Sequence, residues 1–215
     1  WFRPASHASW LQVVNRFGSH DAWPDRADFD PARPYVCLGG SSIFSFYGHP
    51  HETIEAFTRL AAHLARVYDG QVVLTASDSK DELVFREVAA RSGLPLVGLR
   101  VPVPMAVDLL AHADAYIGGR WHPSIFALQG GAPVIPLTSK TFKIPALMRM
   151  AGLPAEIFDA NDVAASVREI GEALLARLDE GPELRIRLRR WGEAQHEATF
   201  GNVAGIPTSA GEASS

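Results

Sequence analysis

The chain has 215 residues, 47% of them hydrophobic, with a formal net charge of −4 and a single cysteine. That length suits one domain or one large domain with appendages, and the apolar content excludes a disordered chain. The slight acidity gives no bulk attraction to nucleic acid, a lone cysteine excludes an internal disulfide and a multi-cysteine metal site, and no apolar run reaches the roughly 18–20 residues that span a bilayer.

A reducing cytoplasm fits this cysteine usage, and no charged-then-apolar leader is visible. The chain begins at Trp1 rather than at a methionine. The expectation is therefore a processed chain or a piece cut from something longer, with part of a site held elsewhere.

Trp10, Val13, Val14 and Phe17 share one helical face. The acidic, proline-punctuated run HDAWPDRADFDPARP that follows reads as a linker. Apolar runs rich in Val, Ile and Leu then appear at Tyr35–Leu38, Gln71–Thr75, Pro95–Gly98, Ala115–Gly118 and Pro133–Leu137. They are continuous rather than alternating, as parallel strands buried on both faces are.

Helical stripes separate the runs: Ile54, Phe57, Leu60, Ala61 and Leu64; then Leu83, Val84 and Val88; then Met105, Ala106, Leu109, Leu110 and Ala113, starting after Pro104. Ile144, Leu147, Met148 and Ala151 repeat the spacing. Val163, Val167, Ile170 and Leu174 make one longer helix with Asn161 or Asp162 as N-cap, and Leu184, Leu188 and Trp191 mark a last helix over 182–198.

Regular alternation of strand and helix predicts an α/β fold: an open, mostly parallel, doubly wound, Rossmann-like sheet with right-handed crossovers. The expected division is an N-terminal helix and linker over 1–34, the α/β domain over 35–200 and a flexible tail over 201–215.

Such sheets bind ligands beyond the carboxyl ends of their strands, near a topological switch point. After the first strand, Gly39, Gly40, Ser41 and Ser42 read either as a cradle for an anion or as a tight turn with capping hydroxyls. Neither a dinucleotide fingerprint nor a Walker loop is present. After the second, Ser79 with Glu82 fits a capping box, while Ser77 and Asp78 either join that cap or face the crevice. After the third, Arg100 is a lone loop cation.

The fourth junction, Gly118-Gly119-Arg120-Trp121-His122-Pro123-Ser124, carries the most chemistry. Extended backbone through Arg120 and His122 would send both to one side and Trp121 into packing, with the helix starting at Pro123. The amides of Ser124, Ile125 and Phe126 would then lie close to both side chains. Guanidinium, imidazole and helix N-terminus together make an anion site with a proton donor in it. The alternative is a structural ion pair and a capping histidine. After the fifth strand, Ser139 or Thr141 could cap the next helix, and Lys140 and Lys143 read either as surface cations or with one of them facing the crevice.

The remaining histidines show no metal-ligand spacing on a helix. His49 and His51 read as a solvated loop pair, with a metal pair as the alternative, and nothing else visible demands a divalent metal. No GxSxG elbow exists. The run Arg185-Ile-Arg187-Leu-Arg189-Arg190 reads as a solvated helix face, with an acidic partner or anionic lipid heads as the alternative.

The run DLLAHADAYIGGRWHPSIFALQGGAPVIPLTSKTFKIPALMRMAGLP resembles the C-terminal signature of the polysaccharide pyruvyl transferase family. Asp114, Arg120, His122, Gly131, Pro133, Lys143 and Gly152-Leu153 stand at the matching positions, and the strong part covers about 108–153. Trp121 stands where the family usually has an aliphatic residue, and Leu137-Thr138-Ser139 where it often has a tyrosine.

The resemblance implies the C-terminal lobe of a two-lobed, glycosyltransferase-B-like fold, with a further N-terminal lobe outside this chain. It implies transfer of pyruvate from phosphoenolpyruvate, the donor substrate, to two hydroxyls of a sugar or lipid-linked glycan as a ketal, with no cofactor. Arg120 would hold the donor's carboxylate or phosphate. His122 would be the general acid that protonates the enol methylene, and Lys143 would add positive charge. Gly39, Gly40, Ser41, Ser42, Arg100, Ser124 and Ser139 complete the candidate substrate-binding set. The implied place is the cytoplasm, with the inner face of the membrane as a peripheral station.

Two alternatives stand beside it. A sugar-nucleotide-binding lobe of a glycosyltransferase or epimerase shares the layout, but Ser124–Gln129 contains no acid to hold a ribose. A non-catalytic domain would keep the pocket for binding an anion or sugar phosphate only.

Overall fold

The computed structural model describes residues 29–45, 50–154 and 156–201. The helix expected over 8–17, most of the linker and the tail lie outside these residues, as does His49.

Five parallel strands form one sheet: β1 (Tyr35–Ser41), β2 (Gln71–Thr75), β3 (Leu96–Val97), β4 (Ala115–Gly119) and β5 (Val134–Pro136). Their order is β3-β2-β1-β4-β5. The chain steps outward from β1 to β3, returns across the sheet and continues from β4 to β5. The direction reverses between β1 and β4, which is the switch point.

The strands are apolar throughout because each face has its own core. Tyr35, Cys37, Val73, Tyr116 and Val134 point into one. Val36, Leu38, Leu74, Ile117 and Ile135 point into the other. The two-residue period of a strand sorts neighbours to opposite sides, and both sides are covered by helices.

On the second face lie α1 (Pro50–Val67), α2 (Ser79–Ser92) and α6 (Val167–Asp179). On the first lie α3 (Val103–His112), α4 (Trp121–Gly130), α5 (Lys143–Met150) and α7 (Gly181–Gly201). The stripe of α1 buries the five expected residues. On α2, Val84, Phe85, Val88 and Asp81 are buried, whereas Leu83 is 64% exposed. Pro102, not Pro104, precedes α3, and Pro104 sits in its first turn, where its missing N–H costs nothing. A 3-10 turn over Val163–Ser166 separates Asp162 from α6, so the expected longer helix is two pieces, and Asp162 makes no side-chain cap bond.

In the basic run on α7, Arg187, Arg189 and Arg190 are exposed, as a solvated face requires, and three of its arginines also reach backbone carbonyls. Arg185 Nη1 donates to Ala113 O at 3.0 Å, Arg187 Nη1 to Gly152 O at 3.2 Å and Arg189 Nε to Gly130 O at 2.7 Å. These carbonyls end α3, α5 and α4. A helix leaves its last carbonyls without partners, and cations are favoured at that negative end of the dipole. One helix thus closes the ends of three others. Arg185 also pairs with Asp114 at 3.6 Å, and Asp114 accepts the Tyr68 hydroxyl at 2.5 Å. Asp114 immediately precedes β4, at the opposite end of the sheet from the loops that could hold a ligand.

Candidate functional site

A cavity of about 550 Å³ opens at the carboxyl ends of the strands. All five post-strand loops reach it: Ser42 after β1, Ala76 and Ser77 after β2, Gly98, Leu99 and Val101 after β3, Arg120 after β4, and Ser139, Lys140, Thr141 and Lys143 after β5. One wall is aliphatic, built by Val97, Leu99, Val101, Val103, Leu109 and Leu110. The other carries Arg120, His122, Lys140 and Lys143, and among the described lining residues none is acidic.

Arg120 and His122 do share this cavity, but not by the expected route. Helix α4 starts at Trp121, two residues before Pro123, and Arg120 is its N-cap with extended backbone at φ −91°, ψ 130°. Pro123 is tolerated because it falls in the first turn, where no amide has an intrahelical acceptor. The amide of Ser124 bonds Arg120 O at 3.2 Å, and the Ser124 hydroxyl donates to the same oxygen at 2.7 Å. The amides that face outward from the helix start are therefore those of Trp121 and His122, not those of Ser124 to Phe126.

Trp121 does not turn away into packing alone. Its ring lines the cavity while leaning on the core, and the Lys143 ammonium stands 6.0 Å from the ring centroid. His122 is exposed and its imidazole stacks on Phe126 with 6.3 Å between centroids.

Arg120 is braced from behind. Its Nη2 lies 2.6 Å from Asp81 Oδ1 and 2.7 Å from Asp78 Oδ2. Among the described residues its Nε is buried without a partner. Asp78, not Ser79, is the N-cap of α2: its Oδ1 accepts the amides of Lys80 and Asp81. The expected capping box does not form, and Glu82 pairs with Arg86 at 2.7 Å. Asp81 is fully buried and accepts the Ser77 amide at 3.1 Å. Burial pushes its carboxyl up to about 6, against the lowering pull of Arg120.

Of the expected site residues, Arg120, His122, Ser42, Ser139 and Lys143 line the cavity, and Gly39, Gly40, Ser41, Arg100 and Ser124 do not. The reasons are local. Gly39, Gly40 and Ser41 continue strand β1 instead of forming a loop after it. The two glycines make room for side chains behind the sheet end: Tyr116 against Gly39 and Asp81 against Gly40. The Ser41 hydroxyl donates to Thr138 O at 2.5 Å. Arg100 is exposed outside the lining, and Ser124 is buried on Arg120 O. Asp81, Trp121 as a wall, and the aliphatic slot were not anticipated. The first had a signal: Asp81, Val84, Phe85 and Val88 are one helical stripe, so a carboxylate sits on the apolar face of α2. No cluster of three or more metal-ligating side chains exists among the described residues.

A model of the polysaccharide pyruvyl transferase family matches residues 13–141, more than half of the chain. The chain belongs to this family. Arg120, His122 and the Asp78–Asp81 brace lie inside the match, and Lys143 lies just beyond it. No curated protein matches the sequence.

Among solved structures, one of EarP-mediated arginine glycosylation of translation elongation factor EF-P is similar at 16% identity and a TM-score of 0.51, covering 92% of this chain and 66% of that one. WaaG, a glycosyltransferase involved in lipopolysaccharide biosynthesis, shares 14% identity at a TM-score of 0.47, covering 94% and 52%. A mutant O-GlcNAc transferase of Thermobaculum terrenum shares 20% identity at 0.47, covering 82% and 36%. At such identities the likeness concerns the fold alone, a Rossmann-like parallel sheet covered by helices on both faces. The chain spans 36% to 66% of the length of these proteins. Among the described residues no helix is long and apolar enough to cross a membrane.

Proposed function

We propose that this chain is the lobe of a pyruvyl transferase that holds phosphoenolpyruvate in the cavity at the carboxyl ends of the strands. The observation that carries the reading is the convergence of Arg120, His122, Lys140 and Lys143 on one wall of a cavity without acidic lining. A donor with a carboxylate and a phosphate needs such a wall, and guanidinium and ammonium groups serve it in different ways: a fork for planar anions and a mobile point charge.

Nη2 of Arg120 is taken by Asp78 and Asp81 and its Nε is buried, so the guanidinium meets the donor through Nη1. Lys140 and Lys143 meet the second anionic group. The amides of Trp121 and His122 add the positive end of the α4 dipole.

In the reaction, His122 gives a proton to the methylene carbon of the enol. The C=C pair forms the new C–H bond and leaves cationic character on the neighbouring carbon. One sugar hydroxyl adds there and loses its proton. The C–O bond to phosphate breaks, and a second hydroxyl closes the ketal, releasing inorganic phosphate. Holding the donor still while this charge develops is the part the cationic wall performs. An imidazole suits the proton step because its proton moves near neutral pH. The acceptor is a sugar or a lipid-linked glycan, and the remainder of its site belongs to a further lobe.

The aliphatic wall supports a second reading, a nucleotide-linked sugar whose base occupies the apolar side. The two are separated by NMR on the His122 ring. Phosphoenolpyruvate should shift its signals and UDP-sugars should not; the opposite pattern rejects the first reading. H122Q should abolish turnover and leave phosphoenolpyruvate affinity within about threefold, since the imidazole acts mainly in the transition state. Unchanged ketal formation by H122Q rejects the assigned role. A domain that only binds would show affinity and no turnover in either form.

A further inference from the structure

We propose that Asp81 is the positioning residue of the anion site: it fixes the Arg120 guanidinium through one nitrogen and sets how much of its charge reaches the cavity. This deepens the reading above and requires only that an anion binds beside Arg120.

The geometry is specific. Asp81 is fully buried in the first turn of α2, where an amphipathic helix would otherwise bury an aliphatic residue. Its Oδ1 holds Arg120 Nη2 at 2.6 Å and its Oδ2 accepts the Ser77 amide at 3.1 Å, so both oxygens are committed. From β1 only the backbone of Gly40 faces it, and any side chain there would strike Oδ1. From β4 comes Tyr116, buried at the sheet end, and from the start of α2 comes Asp78. Among the described residues, the groups with charge or a proton around Asp81 are Arg120, Asp78 and Tyr116.

A carboxylate this close cancels part of the guanidinium's field in the cavity. Burial holds the Asp81 carboxyl near 6, so its proton is within reach of mild acid. A bound anion adds negative charge on the far side of Arg120 and favours that proton. By linkage the proton favours the anion by the same factor. The two effects meet through one side chain, because Arg120 touches Asp81 and lines the cavity.

The test uses the full chain with H122Q as background, which removes the cavity imidazole, and sulfate as probe, which keeps its charge across the range. Dissociation constants are measured by NMR titration at pH 5 and pH 7. Sulfate should bind about tenfold more tightly at the lower pH, a typical coupling. Adding D81N should bring that ratio near one; a ratio unchanged by D81N overturns the proposal, since a merely structural carboxylate would alter stability and not this ratio. A second measurement needs no substitution at Asp81. The carboxyl ¹³C signal of Asp81 should titrate at higher pH when sulfate is saturating, and an unmoved midpoint overturns the proposal. If phosphoenolpyruvate and sulfate both fail to bind, the anion-cavity reading falls and this one with it. If phosphoenolpyruvate binds and the sulfate ratio is flat in the background protein, only the role of Asp81 falls.

Discussion

A methyl group on Gly40 would come within 2.2 Å of Asp81 Oδ1. The glycine is there so that the carboxylate of α2 can reach Arg120 across the end of β1. Glycine to alanine at this position should move Asp81 off the guanidinium. The expected loss is about 1–3 kcal/mol, as for overpacking in a core, read by urea unfolding, together with weaker phosphoenolpyruvate binding. Wild-type stability and affinity in G40A would remove the steric account.

Among the described residues, two buried or half-buried groups, Asp81 and His112, add to the pH dependence of stability in separate windows. Burial raises the Asp81 carboxyl to about 6 in the folded chain, from an ordinary value of 3.8. The native state then holds this proton more tightly than the unfolded chain, so the contribution is complete below about pH 4 and fades as the pH rises through about 6. The hydrogen bond that His112 donates to the Asp108 carboxylate raises its imidazole, which has the same sign in a higher window: its contribution is complete below the ordinary imidazole value and fades above it. Melting temperatures taken in small pH steps should lose the lower slope in D81N and the upper slope in H112Q. A single shared slope that both variants leave untouched would contradict the assignment.

The arginines of α7 differ in what they hold. R189A uncovers Gly130 O at the end of α4 and should cost about 1–2 kcal/mol, in the range of a hydrogen bond from a charged donor. Arg190 is exposed on the same helix and R190A should stay within about 0.5 kcal/mol of the parent. Equal effects of the two, measured by denaturant midpoints, would mean that position on the helix matters and the carbonyl bond does not.

Cys37 is the sole cysteine, lies in the central strand β1 and is completely buried. Burial also pushes its thiol well above the ordinary range. Its reaction with an aromatic disulfide should proceed only through opening of the sheet, so the rate at low denaturant should match the global unfolding equilibrium. Fast labelling in native buffer would show a local opening at β1.

The strands were legible because a doubly covered parallel sheet writes itself as unbroken apolar runs, and all five appear where such runs stand. The stripe of α1 was legible for the same reason. Local patterning failed where a distant partner overrides it. Leu83 was expected inside and lies outside, because the apolar face of α2 is taken by Asp81, whose partner sits thirty-nine residues away on β4's end. Pro123 suggested a helix start at itself, yet α4 absorbs it in its first turn. The exposure of the arginine run was legible but its bonds were not, since the carbonyls it meets belong to three other helices. The site's cationic wall was visible from residue types at strand ends. Its aliphatic wall was not, because Val101, Leu109 and Leu110 carry no chemistry that distinguishes a slot from a core.

The three arginine bonds of α7 have a consequence for biosynthesis. The sheet and its first five helices leave the ribosome while α7 is still inside the exit tunnel, with the carbonyl ends of α3, α4 and α5 wet and unfastened. That face of the nascent domain is fastened only once Arg185, Arg187 and Arg189 have left the tunnel and found those carbonyls.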